Sequence, residues 1–403
     1  MLGTYRAVFR TPGTAALCAA GFIMRMPMAI YPIGLVLLIS TRTGHYGFAG
    51  LLSGAFVVAN GVSNPILARL VDRHGQSRIL PRASAVHILA VAVLCLLAER
   101  RTPDWTLLIP TAVAGFAWLA VGSLIRARWS TVLAGRPELT TAYSLESTLD
   151  EVIFTVGPLI ATVIATQVNA ILGLLLGVAL VTVGAVWLES QHATEPPPHP
   201  AGSPKHRSAV RYPGMMLMTL AAAFMGAVFA SAEVTMIAFC GQHHRTGLSG
   251  LVVACFAFGS GVAGFSYGVR TWRAGLVRRF LTQALIFAVL PVLFLAAVNV
   301  PVLAVCAFVV GLGIAPMLIT GFGLIAEIVP SGALTEGMAW LTTGLSVGYG
   351  AASAVVGRIA DSHGARPAFG VTIGAGVLVG ALALGVYRRI ARPVVESQPV
   401  AVG

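Results

Sequence analysis

Twelve stretches of this chain are each long and apolar enough to cross a lipid bilayer, at about 13 to 39, 47 to 70, 79 to 98, 104 to 126, 141 to 166, 168 to 188, 213 to 240, 247 to 268, 279 to 298, 300 to 324, 333 to 357 and 367 to 387. A spanning helix needs about 20 largely apolar residues. Inside hydrocarbon every backbone N–H and C=O must be satisfied within the segment, so stretches of this length fold as helices. The alternating strands of about ten residues that build a membrane barrel do not occur. Charged residues make up only 10% of the chain and mean hydropathy is +0.86, where a soluble domain carries about 25% charge. The expected fold is an all-α membrane protein with twelve transmembrane helices.

The net charge of +12 could suggest nucleic acid, but the position of the basic residues says otherwise. They concentrate in the two tails and the even-numbered loops, as Arg6, Arg10, Arg69, Arg73, Arg78, Arg82 and Arg388 illustrate. Lys and Arg are retained on the cytoplasmic side, so both termini are expected in the cytoplasm and the chain in the cytoplasmic (inner) membrane as a multi-pass protein. No nucleic-acid partner is implied, and a monomer embedded in the lipid bilayer is expected. The five cysteines lie singly in apolar segments, which argues against a disulfide framework or a metal site.

One long polar, proline-rich stretch interrupts the pattern and divides the chain into an N-terminal six-helix bundle (1–188), a cytoplasmic linker (189–212) and a C-terminal six-helix bundle with a short cytoplasmic tail (213–403). Such a composition cannot bury a core. The halves are also related by sequence. Residues 47–80 align without gaps to 247–280, with Gly47, Gly50, Phe56, Gly61, Arg73, Gly75 and Arg78 recurring as Gly247, Gly250, Phe256, Gly261, Arg273, Gly275 and Arg278. A weaker match sets 139–147 against 334–342. Internal repetition of six helices is a transporter signature, and it makes the expected bundles pseudo-symmetric.

The loop ARLVDRHGQSR (68–78) resembles the signature loop of the major facilitator superfamily, matching at Asp72, Arg73, Gly75 and Arg78, with Ala68 where the opening Gly is usual. The copy at 268–279 keeps Gly268, Arg273, Gly275, Arg278 and Arg279 but carries Trp272 in place of the Asp. The resemblance implies the fold of that superfamily and a role for Asp72, Arg73, Gly75 and Arg78 in closing the cytoplasmic side. GRIADSHGAR (357–366) looks similar too, but counting helices places it on the opposite side, where it is read as a turn.

An ionisable group at membrane depth is a functional candidate by default. On the fifth segment, rotation of about 100° per residue places Glu146, Asp150 and Glu151 on one polar arc. Asp150 and Glu151 lie near the middle of the bilayer, as does Arg25 on the first segment, so Arg25 can pair with either acid. Glu146 lies shallower and is expected to form a helix-end ion pair with Arg126 or Arg128. Glu233 on the seventh segment is a lone acid, either a hydrogen-bonded structural group or a proton site. Asp150, Glu151, Arg25 and Glu233 are therefore the candidate proton-coupling set. Pro27 and Pro32 should break the first segment and free carbonyls. Tyr31, Trp118 and Phe154 are candidates for lining a substrate cavity, and His87 is read as a satisfied interior histidine. No metal cluster, nucleophile triad or phosphate-binding loop emerges, so neither a cofactor nor an enzyme is expected, and a proton gradient is the expected energy source.

TVGP (155–158) resembles the Gly-Pro core of the antiporter motif in drug-efflux members. The resemblance implies a secondary transporter that exports a small molecule in exchange for protons by alternating access. Proton-coupled import of an organic acid or sugar is the alternative, and a membrane receptor or assembly factor without transport is a third reading.

Overall fold

The computed structural model describes residues 2–43, 46–197, 207–245 and 248–395. Residues 198–206 of the expected linker, and Gly247 of the repeat, lie outside them. A short α1 (Leu2–Val8) precedes a first span made of two helices, α2 (Thr14–Arg25) and α3 (Pro27–Thr43). The second and third spans are α4 (Tyr46–His74) and α5 (Gln76–Glu99). The fourth is again in two pieces, α6 (Leu108–Ala117) and α7 (Val121–Val132), and α8 (Glu138–Gln167) and α9 (Ala170–Glu189) follow. The second set comprises α10 (Met215–Gln242), α11 (Ser249–Val269), α12 (Leu276–Val289), the pair α13 (Val300–Gly311) and α14 (Ile314–Ile328), α15 (Leu334–His363) and α16 (Ala365–Val395).

Among the described residues no strand occurs, and ten spans are apolar and long enough to cross a membrane. The other two are α8 and α15, of 30 residues each. At 1.5 Å per residue each reaches about 45 Å, well beyond a hydrocarbon core of about 30 Å.

The first span breaks where Pro27 opens α3, a position at which the missing proline N–H leaves no helical bond unmade. Pro32 does not break it and sits inside α3, contrary to the expectation for both prolines. The break in the fourth span carries no proline or glycine. Trp118 is extended, with φ −72° and ψ 115°, and Asn60 on α4 donates from Nδ2 to the carbonyls of Trp118 (2.8 Å) and Gly115 (3.4 Å). An amide at membrane depth thus supplies the donor that the interrupted helix lacks.

The chain forms two compact units: residues 1–142, 149–206 and 331–339 in one, and 143–148, 207–330 and 340–403 in the other. In unit 1, α2 and α3 pack on α9, α5 packs on α9 and α6, and α4 packs on α6. Unit 2 repeats the scheme, with α10 and α12 on α16 and α11 on α13. The repeat extends to single atoms. A methyl group at Gly115 would overlap the Phe56 carbonyl, and one at Gly311 would overlap the carbonyl of Phe256, the repeat partner of Phe56. Small residues that let backbones approach are the usual means of packing helices in lipid, where no hydrophobic force drives association.

Candidate functional site

In unit 1 the charge at membrane depth is gathered on Asp150, near the middle of α8. Arg25 Nη1 lies 2.7 Å from Asp150 Oδ1, and Arg126 Nη2 lies 2.7 Å from Oδ2. The two carboxylate oxygens therefore each take a charge-assisted hydrogen bond, the strong kind. Arg25 is 1% exposed and its Nε also donates to the Gly21 carbonyl at 3.1 Å. Arg126 Nη1 donates to the Gly122 carbonyl at 3.3 Å, where the missing side chain leaves room for the guanidinium. The Asp150 side chain keeps 24% exposure between two arginines that are almost wholly covered. Glu146 is fully buried and Glu151 half-buried on the same helix.

Arg126, one of the two arginines expected beside Glu146, reaches Asp150. Arg128, the other expected partner of Glu146, is turned the opposite way. Its Nε donates to Gln76 Oε1 at 2.7 Å, and its Nη1 donates to the Gln191 carbonyl and to Thr194 Oγ1 at 2.8 and 2.9 Å. Arg128 thereby ties α7 to the start of α5 and to the chain leaving α9. The sequence places both arginines on one helix but cannot say which way each points, because that depends on what faces α7 from neighbouring helices.

Unit 2 builds the corresponding helix crossing without charge. Both α2 and α10 start after a capping glycine in the left-handed region, Gly13 and Gly214, each with φ 86°. Counting equally far from those glycines leads to Arg25 in one unit and Gly226 in the other. The residue aligned with Asp150 on α15 is Leu345, and a methyl group at Gly226 would overlap the Leu345 carbonyl. The crossing that unit 1 spans with long charged side chains is closed in unit 2 by bare backbone. On α10 of unit 2 the acid is Glu233, whose Oε2 accepts a hydrogen bond from Tyr349 Oη on α15 at 2.8 Å. That partner was missed in the sequence. Its signal was only a tyrosine on the segment opposite.

The signature loop is organised by Gly75, which turns the chain between α4 and α5 with φ 88°. Asp72 accepts from the backbone N–H groups of Thr335 (3.1 Å) and Glu336 (2.8 Å), the second and third residues of α15. A carboxylate there meets both the uncapped N–H groups and the positive end of the helix dipole. Arg69 Nε stands 3.5 Å from Glu336 Oε2, a contact not anticipated. Arg73 and Arg78 are exposed and make no ion pair among the described residues. The structure thus brings Asp72 to a helix end and not to those arginines.

Tyr31 and Trp118 are buried in unit 1, and Tyr31 borders a small void there together with Phe56, Val91 and Leu94. Tyr31 Oη is 3.0 Å from His87 Nε2, and His87 Nδ1 is 2.8 Å from the Ala114 carbonyl. The Tyr31, His87, Trp118 and Phe56 rings meet at centroid distances from 5.0 to 6.4 Å, as buried aromatics with polar atoms satisfied. Phe154 is 55% exposed. Among the described residues no group of His, Cys, Asp or Glu is placed to hold a metal ion.

Among curated protein sequences no relative matches significantly. Among solved structures the chain is similar to a human organic anion transporter, MFSD10 (TETRAN), with TM-score 0.70 at 15% identity over 93% of this chain and 99% of that one. It is likewise similar to a bacterial homologue of the iron transporter ferroportin in its outward-facing state, with TM-score 0.73 at 14% identity over 93% and 99%. The fucose:proton symporter of E. coli gives TM-score 0.69 at 15% identity over 92% and 98%. The family model for the Major Facilitator Superfamily matches residues 17–249 and 242–401. With the model matched across both halves and the six-helix scheme repeated in each unit, the chain belongs to the major facilitator superfamily of membrane transporters.

Proposed function

We propose that this protein is a proton-coupled secondary transporter that exports a small molecule across the cytoplasmic membrane by alternating access, with both termini in the cytoplasm and no resident cofactor. The observation that carries the coupling is the contrast at one helix crossing. Unit 2 makes it with Gly226 against Leu345, so the fold does not require Arg25, Arg126 and Asp150. Each ionisable group at the bilayer centre raises the cost of insertion by about 2.5–3.5 kcal/mol, and a set kept where the fold can do without it is best explained by use. A proton arriving at the partly exposed Asp150 competes with the two guanidinium groups for its oxygens. Its gain and loss then make and break a link between α2, α7 and α8. Glu151, one residue on, and Glu233 with Tyr349 are the further proton sites in this reading. Asp72 at the start of α15 supplies the cytoplasmic latch, with Gly75 shaping its loop.

Import of an organic acid would need a free Arg25 to receive the substrate carboxylate, and its Nη1 is engaged by Asp150. That favours the exchange reading. The test is the purified protein in vesicles with an imposed pH gradient, following proton release with trapped pyranine while a panel of organic cations, anions and sugars is added. Asp150→Asn or Glu151→Gln should abolish substrate-linked proton movement while the protein still unfolds cooperatively. Unchanged proton movement in both variants would remove the coupling site from unit 1.

A further inference from the structure

The two copies of the signature loop diverge at four positions that meet in space. Leu67, Leu70, Asp72 and Ile79 of the first copy stand where the second has Tyr267, Arg270, Trp272 and Arg279. In unit 2 those four side chains form one stacked group. The Tyr267 and Trp272 rings lie 4.3 Å apart and 29° from parallel, and Trp272 Nε1 donates to the Tyr267 carbonyl at 3.2 Å. Arg279 Nε donates to Tyr267 Oη at 2.8 Å, and its guanidinium lies 5.1 Å from the Tyr267 ring centroid and 4.9 Å from that of Trp272. The guanidinium of Arg270 lies 4.9 Å from the Trp272 centroid. Arg270, Arg273 and Arg278 are exposed beside this group.

This cluster has donors to spare. Arg279 Nη2 is buried without a hydrogen-bond partner among the described residues, an arrangement native proteins seldom leave unless a ligand or water completes it. Glu327 on α14 is the acid within electrostatic reach of Arg279, against four arginines. The helix that follows adds to the contrast. In unit 1 the second residue of α5, Ser77, gives its backbone N–H to the carboxylate of Glu195 at 2.7 Å. In unit 2 the aligned residue is Val277, which follows Gly275 at the N-cap of α12. An acid of the chain itself fills the first position, and among the described residues none fills the second.

We propose that Tyr267 and the loop 270–279 bind the phosphodiester headgroup of an anionic phospholipid. Guanidinium groups match phosphate oxygens in pairs, basic clusters at the ends of membrane helices attract anionic lipids, and Tyr and Trp sit by preference at headgroup level. Val262 and Phe265 on α11, and Leu285 and Ile286 on α12, are exposed apolar side chains on the two helices that flank the loop, available to the acyl chains.

Native mass spectrometry of the full-length protein in micelles doped with phosphatidylglycerol or phosphatidylcholine tests this. The wild-type protein should retain phosphatidylglycerol in preference. Arg270→Gln with Arg273→Gln should weaken retention roughly 25-fold, at about fivefold per arginine. Arg100→Gln with Arg101→Gln, which removes the same charge from another loop, should leave it unchanged. Equal retention by both double variants overturns the proposal. So does stabilisation by inorganic phosphate matching that of the lipid, since the site would then serve a free anion.

Discussion

Asp150 on α8 is held by Arg25 and Arg126 at 2.7 Å each, while Leu345, its counterpart on α15, lays its carbonyl against Gly226. The same crossing of corresponding helices is thus built twice with opposite chemistry. Glycine lets two backbones touch, which gives dispersion contact and leaves nothing polar to satisfy. The arginine arrangement joins α2 and α7 to α8 through charged side chains and depends on the charge of one carboxylate. The signature loop shows the same division of labour. Its first copy carries Asp72 to the start of α15, and its second exchanges that acid for Trp272 within an arginine and aromatic stack. Duplication supplied a common frame, and each unit departs from it where polar groups do something the frame does not need.

The comparison breaks most easily at Asp150. Asp150→Ala leaves two buried guanidinium groups without their shared carboxylate and should destabilise the protein by about 3–5 kcal/mol, read from thermal unfolding in detergent. Leu345→Ala leaves the backbone contact of Leu345 in place and should show a far smaller loss. Equal losses would mean that the ion pairs matter to the fold no more than ordinary packing does.

Next in size are the close approaches common to both units. Gly115→Ala and Gly311→Ala each press a methyl group into the carbonyl of a repeat-related phenylalanine, so each should cost about 1–3 kcal/mol. The two values should agree closely, and a large difference would show that the units share topology but not packing. Asp72→Asn weakens the carboxylate cap on α15 by about 0.5–2 kcal/mol. Hydrogen exchange should accelerate at 335–337 and not at the start of α12, where Trp272 makes no such contact. The smallest effect belongs to Tyr349→Phe, which removes the hydrogen bond to Glu233 and should lower stability by about 1 kcal/mol. A much larger loss would place Glu233 on a par with Asp150.

Legibility in the sequence followed the physical origin of each feature. The twelve spans were readable because backbone groups in hydrocarbon leave a long apolar helix no alternative. Phe56 and Phe256 marked the repeat in advance, since the close approach of Gly115 and Gly311 to their carbonyls limits what neighbouring positions can hold. The turn at Gly75 was readable from a residue that tolerates positive φ. The break at Trp118 was not, because the donor that permits it is Asn60, distant in sequence. Nor were the contact of Arg126 with Asp150 and the partners of Arg128 and Glu233, since a long side chain on a helix can reach several neighbours and the choice lies with the neighbours. The packing of Tyr31 and Trp118 on His87 was not readable either, because an aromatic in an apolar helix reads alike whether it packs on a histidine or faces a substrate.

Composition and periodicity by themselves determined that this chain is a twelve-helix membrane protein in two related halves, and that its charges at depth are concentrated on the first and fifth spans. Those properties follow from local physics, the solvation of single helices and the spacing of residues along them. Only the tertiary structure decided that Asp150 gathers two arginines, that Asp72 caps α15, and that Tyr267, Arg270, Trp272 and Arg279 stack into one group. Each of these depends on which helices are neighbours, and that is settled by contacts between residues far apart in the chain.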